Sequence, residues 1–252
     1  MAFIRREIDP NSFPKDPSKA VPGIFFHHID LKDKFGWFPI LQLADAGMIQ
    51  SPDYIASWDP SFAESSPSIR DIGIDDLRSG TTNLGGVTPT AGDFVSRARD
   101  IRNGSLEVSA EEKAMILKRG DIELEFEKGR RRYAPEAASR LNCLYVLDNR
   151  RNIETMFGRK PHRLVVKVKI AEALRFTKAD FRWYNAYWDN WTIEEHPSAE
   201  TQNCIRNYWL SHPYKKGSST WEYLVDGLIK LYDPRDIELV RKCKQDYFPG
   251  LD

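Results

Sequence analysis

The 252-residue chain is 41% hydrophobic and 29% charged, enough apolar material for one sizeable core beneath a well-solvated surface. Its 37 basic and 37 acidic side chains cancel, which excludes the strongly basic balance of a dedicated nucleic-acid binder while leaving room for a local basic patch. Cys143, Cys204 and Cys243 are widely separated and show no C-x-x-C spacing, so neither a disulfide framework nor a zinc site is expected, and no metal is assigned.

Residues 1–22, "MAFIRREIDPNSFPKDPSKAVP", have no signal-peptide apolar core and read as an irregular lead-in. No apolar run approaches membrane-spanning length, so a soluble, cytoplasmic protein without a membrane partner is expected. "GIFFHHI" has strand character. In "WFPILQLADAGMIQSP", Ile40, Leu41, Ala44 and Met48 suit a helix that closes near Gly47. Residues 51–105, rich in Ser, Pro, Gly, Thr and Asp, read as loop with one small helix at "GDFVSRARDI". "SAEEKAMILKRG" predicts a helix capped by Ser109, with Glu112 three residues on and Gly120 at its end.

Beyond residue 142 the pattern sharpens. "CLYVLD" predicts a strand, "NRRNIETMF" a short capped helix, and "HRLVVKVKI" a strand with alternating Val and Lys. "FRWYNAYWDNW" packs six aromatic residues into eleven positions. "SAETQNCIRNYWLSHP" is a helix opened by Ser198 and ended before Pro213; "STWEYLVDGLIKLYD" is a strand. "DPRDIELVRKCKQDY" is a terminal helix capped by Asp233, with Pro234 in its first turn. The economical reading is one α+β domain over 1–252 with an insertion at 51–141.

Common catalytic signatures are missing: there is no G-x-x-x-x-G-K-[ST] loop, no H-E-x-x-H helix and no G-x-S-x-G elbow. "GTTNLGG" lacks a flanking strand and helix and reads as a mobile loop. His162, His196 and His212 stand alone at loops or element ends, where surface or capping roles are expected. "GRRRY" at 129–133 reads as a solvated charge run, with phosphate contact as the sharper alternative. Trp183, Tyr184, Tyr187, Trp188 and Trp191 suit either a core or a platform for unpaired bases.

Three pieces share one feature, a polar group on or beside a short apolar strand: His27 in "IFFHHI", Tyr145 in "CLYVLD" and Glu222 in "TWEYLVDG". With "PILQLADAGMIQSP", "NRRNIETMF" and "RLVVKVKIAEALRF", and in this order, the chain resembles the His–Tyr–Glu branch of the ADP-ribosyltransferase superfamily, which includes the poly(ADP-ribose) polymerases. It departs from the family's pattern at His28 and Ile29, where a small residue and Ser or Thr usually follow the histidine, and at Asn152 and Ile153 in the second block.

The resemblance implies split antiparallel sheets with flanking helices and NAD as a substrate. It casts Glu222, Tyr145 and His27 as catalytic, and adds His28 and Arg140 as further contacts to NAD, Arg140 at the pyrophosphate. Glu222 would orient the ribose and stabilise its developing positive charge, Tyr145 would stack on nicotinamide, and His27 would hydrogen-bond the ribose region. The loop "HPYKKGSST", with Lys215 and Lys216, would help choose the acceptor. The expected activity is single-unit ADP-ribosylation of a macromolecule (RNA, DNA or protein) by a toxin or effector, with an antitoxin or chaperone as a further partner. An NAD glycohydrolase, and a non-catalytic RNA- or protein-binding module on the same fold, are the alternatives.

Overall fold

The computed structural model describes residues 23–32, 36–65, 68–80, 91–157, 160, 162–192, 198–215 and 217–250. The lead-in, all but the first residue of "GTTNLGG", His196 and Lys216 lie outside them. In chain order the elements are β1 (Phe25–Asp30), α1 (Trp37–Ala46), β2 (Met48–Gln50), α2 (Pro52–Ala56), α3 (Pro60–Ser65), a 3-10 turn at Ile69–Asp71 and α4 (Ile74–Ser79). There follow α5 (Ala91–Arg102), α6 (Ala110–Tyr133), β3 (Leu144–Leu147), α7 (Arg150–Phe157), β4 (Arg163–Asp180), α8 (Phe181–Asn190), α9 (Ala199–Trp209), β5 (Trp221–Leu231) and α10 (Pro234–Tyr247). The class is α+β, as the pattern of strands and capped helices predicts.

Among the described residues five strands pair antiparallel in one hydrogen-bonded sheet of order β2-β5-β3-β1-β4, with β4 also pairing β5. The expected split into separate sheets is bridged by β4. Its 18 residues pair first with β1 and then with β5, and Val168 is shared between Phe25 and Leu231. Register shifts at Ile170/Glu172 and Ala173/Arg175 bend the strand between these partners. Alternation along β1 buries Phe25 and Ile29, which join Val146, Val166, Val168, Tyr223 and Val225 in an inner core closed by Ile40 and Leu43 of α1 and Val240 of α10. Gly47 ends α1 in the left-handed region at φ 67°, its N–H bonded to the Leu43 carbonyl.

Within the insertion, α5 and the start of α6 are the helices expected, while α2, α3 and α4 form where loop was expected. Polar residues dominate the insertion's short helices, so apolar periodicity is weak there, yet Ile69, Ile72, Leu77, Val95 and Leu124 bury a small core of their own. The Ser109 cap on the Glu112 N–H is as predicted, but α6 runs past Gly120 to Tyr133. Gly120 is a crossing point, not a stop: a Cβ there would lie 2.5 Å from the Ala98 Cβ on α5. Among the described residues no helix is long and apolar enough to cross a membrane.

Gly227 sits opposite the β4 irregularity, where a Cβ would meet the Glu172 carbonyl oxygen at 2.1 Å and the Ala173 Cα at 2.7 Å. Because both neighbours are backbone, Gly227→Ala is expected to cost about 1–3 kcal/mol in chemical denaturation. An unchanged midpoint would mean that the bulge yields to the added methyl.

Candidate functional site

Directly opposed residues of an antiparallel pair project from the same face of a sheet, so the register sorts the side chains. Phe26 faces Leu147, and Leu147 faces Glu222; Tyr145 faces Leu224. Continued by two residues, this register sets His28 level with Tyr145. His28, Tyr145, Leu224 and Glu222 therefore share the outer face of β1, β3 and β5, while His27 falls on the inner face with Val146 and Val166. The sequence reading favoured His27, because two apolar strand residues precede it; the strand period gives the shared face to His28.

The two histidines differ accordingly. His27 is buried with Nδ1 2.8 Å from the Tyr145 carbonyl, and burial holds its pKa below the ordinary value, partly offset by that bond. His28 is half-buried, and burial together with the nearby His27 and Arg163 lowers it to about 4 despite Asp30.

Glu222, only 2% exposed, lies under the layer formed by α6, α8 and α9. Its Oε1 accepts from Arg140 Nη1 at 2.8 Å and from the Tyr208 hydroxyl at 2.7 Å. Arg140 also donates to Tyr208 Oη and, from Nε and Nη2, to both oxygens of Glu123 on α6, which accepts from Tyr184 as well. Burial raises the Glu222 pKa; Arg140 and Tyr208 pull it down and Glu123 pushes it up, leaving it above the ordinary value. Burial alone would lower Arg140, but Glu123, Tyr145, Tyr208 and Glu222 hold it well above the ordinary arginine value. Its guanidinium is spent on these partners and is not free to meet a pyrophosphate, contrary to the sequence expectation.

Arg140 is aimed by the segment it rides on. Ala138 N–H donates to Thr177 on β4, the Ser139 hydroxyl to Glu127 on α6, and the Tyr145 hydroxyl to the Arg140 carbonyl at 2.6 Å. Sequence reasoning missed Glu123 and Tyr208 because each reads as an ordinary helical residue; only burial on facing helices reveals them.

One step beyond Leu224, the same face of β5 carries a second buried acid. Asp226 accepts from Ser51 at 2.9 Å and Arg175 at 2.6 Å, while Asp53 on α2 accepts from Asn142 at 2.6 Å and Ser68 at 3.2 Å. This cluster ties the start of the insertion to the sheet.

The other candidates are structural. Arg130 and Arg131 of "GRRRY" bond Glu127, and Arg131 also holds the Ile69 and Ile72 carbonyls. Tyr184, Tyr187 and Tyr208 surround Phe126 with ring centroids 5.0–5.4 Å away, so the aromatic run builds core rather than an open stacking platform. The loop before β5 is pinned by Asp180, which accepts from the Tyr214 and Thr220 N–H groups.

A family model described as "Protein of unknown function (DUF2441)" matches residues 100–238. That stretch contains Glu123, Arg140, Tyr145, Tyr208 and Glu222 and leaves out β1 with both histidines. A search of curated proteins returned no match.

Removing Arg140 would strand two buried carboxylates, so Arg140→Met is expected to cost about 3–5 kcal/mol in urea unfolding; a loss below ~1 kcal/mol would show that water replaces the guanidinium. Burial, then the charge of Asp226, lift Asp53 to about 6 against the bonds from Asn142 and Ser68. The folded state then holds this proton more tightly than the unfolded chain, so stability falls as pH rises from the ordinary value of 3.8 towards 6. Wild type should lose about 2 kcal/mol more than Asp53→Asn between pH 4 and pH 7. Parallel stability curves for the two proteins would refute the shift.

Proposed function

The chain belongs to the DUF2441 family, and because that description assigns no activity we propose a function from the site itself: an NAD-dependent ADP-ribosyltransferase acting on a macromolecule. The observation that carries this reading is the common outer face of β1, β3 and β5. Three segments distant in sequence bring an imidazole (His28), a phenol (Tyr145) and a carboxylate (Glu222) to adjacent hydrogen-bonded strands, in the order the family resemblance requires.

The chemistry suits those groups. The bond between nicotinamide nitrogen and ribose carbon breaks, nicotinamide leaves with the electron pair, and an acceptor nucleophile bonds the same carbon and gives its proton to solvent. Positive charge develops on the ribose meanwhile, and a carboxylate fixed beside it stabilises that charge without reorganising. Glu222 is fixed in this sense, on a strand paired on both sides through Leu147 and Ala179. His28 takes the ribose-side role first given to His27, and the Tyr145 ring offers the stacking surface. Arg140 has no part in holding the pyrophosphate.

A second reading has an observation of its own. Glu222 is almost wholly covered by the helical layer and neutralised by Arg140, an arrangement suited to a non-catalytic module that keeps the scaffold and binds through another surface. In the transferase reading this is a closed state, and NAD entry requires the helices over β5 to part.

Incubation with NAD labelled in the adenylate moiety and cell extract, followed by separate nuclease and protease digestion, distinguishes these readings. Transfer to material sensitive to one digestion, reduced about 10²–10³-fold by Glu222→Gln with the fold intact, is the expected result. Nicotinamide release without labelled macromolecule would point to hydrolysis of NAD instead. Absence of both would leave the binding module, and full activity in Glu222→Gln would remove Glu222 from the mechanism.

A further inference from the structure

Both bonds to Glu222 fall on the same oxygen. Arg140 and Tyr208 reach Oε1; among the described residues no hydrogen bond reaches Oε2. The Glu222 side chain as a whole keeps 3% exposure.

The clamp on the first oxygen is itself held. Glu123 takes the far edge of the Arg140 guanidinium at 2.9 and 3.3 Å, which fixes the plane of the fork. Tyr208 is fully buried with its ring edge-on to Phe126 and Trp209. With the carboxylate anchored through one oxygen and the strand anchored through its backbone, the direction of the other oxygen is set before any ligand arrives.

We infer that Arg140 and Tyr208 are positioning residues that clamp one oxygen of Glu222 and reserve the other to accept a hydrogen bond from a ligand hydroxyl. Under the transferase reading, on which the identity of that ligand rests, the hydroxyl belongs to the ribose of NAD. A carboxylate gripped through both oxygens would have its acceptor capacity consumed by protein, whereas one gripped through a single oxygen keeps both its orientation and a free acceptor.

The clamp also sets the charge of Glu222. The titratable and charged groups around it are Arg140 and Cys143 from the segment before β3, Tyr145 on β3, Glu123 on α6, Tyr184 on α8, Tyr208 on α9 and Asp226 on β5. Arg140 and Tyr208 favour the ionised form and Glu123 opposes it. Two conservative variants should therefore move Glu222 in opposite directions. Tyr208→Phe removes one O–H donor and keeps the ring; Glu123→Gln removes the opposing charge and keeps an acceptor for Arg140 and Tyr184.

The test follows the Glu222 carboxyl through pH by 13C NMR of glutamate-labelled protein without NAD, the resonance being assigned with Glu222→Gln. Titration at higher pH in Tyr208→Phe and at lower pH in Glu123→Gln is the expected result. A shift of the same sign in both variants, or in neither, would overturn the clamp, and simple loosening of the fold cannot give opposite signs. With NAD present, Tyr208→Phe should lower kcat by about 10- to 100-fold with little change in KM, the strength of one hydrogen bond to a charged group. It should also move the acid limb of the rate profile upward. Wild type that never consumes NAD would remove the ribose as occupant, and with it the transferase reading, while the NAD-free titration still decides the clamp.

Discussion

One guanidinium between two carboxylates governs how the two halves of this molecule fit together. Arg140 sits between Glu123 on α6 and Glu222 on β5, and all three side chains are almost fully removed from water. Moving such charges inside costs several kcal/mol each, and attraction offsets this only where the hydrogen bonds are complete. Here they nearly are: Nε, Nη1 and Nη2 of Arg140 all find oxygen partners, and Tyr184 and Tyr208 add hydroxyl donors to the two acids. The helices α6, α8 and α9 are thereby registered on the sheet at one polar point within an aromatic core, with Phe126 packed beside it. Slippage of any one helix would leave a charge unpaired in an apolar setting, a penalty that loose hydrophobic packing alone does not impose.

The same point explains why the outer face of β5 is unusual. Glu222, Leu224 and Asp226 follow one another at strand period, so two buried acids flank one leucine. The first is matched by Arg140 near the end of the insertion, itself held by Glu123 of the long helix, and the second by the insertion's first turn, through Ser51, beside the Asp53–Asn142 pair. The insertion is fastened to the sheet at both acids. It is a structural layer of the fold and covers the face on which the catalytic reading depends.

Much of this was legible residue by residue. The alternating apolar runs at 25–30, 144–147 and 221–231 became strands, and Ser109, Ser198 and Asp233 cap the helices they were expected to cap. In the insertion the helix at 91–102 and the start of α6 were legible, but the run of α6 past Gly120 was not, because it buries Glu123, Glu127 and Arg130 on the face where an apolar stripe would be sought. Gly120 misled for a related reason: a glycine that admits a neighbouring helix and a glycine that ends its own look alike in sequence. Local pattern put Tyr145 and Glu222 on strands, and the family resemblance singled them out as candidates. Which of two adjacent histidines shares their face depends on strand register, a non-local quantity that no single segment contains. The partnership of Arg140 with Glu123 and Glu222 is likewise set by three remote stretches meeting in space.

The cyclic order of pairings, from β5 through β3 and β1 to β4 and back to β5, has a mechanical consequence. β5 is flanked by β4 on one side and by β3 and then β2 on the other, so it offers no vacant flank onto which a foreign strand might zip. Recognition of an extended peptide by strand addition is barred there, and so is edgewise self-association through this strand. Any molecule that engages β5 must come from above its outer surface, through the helices.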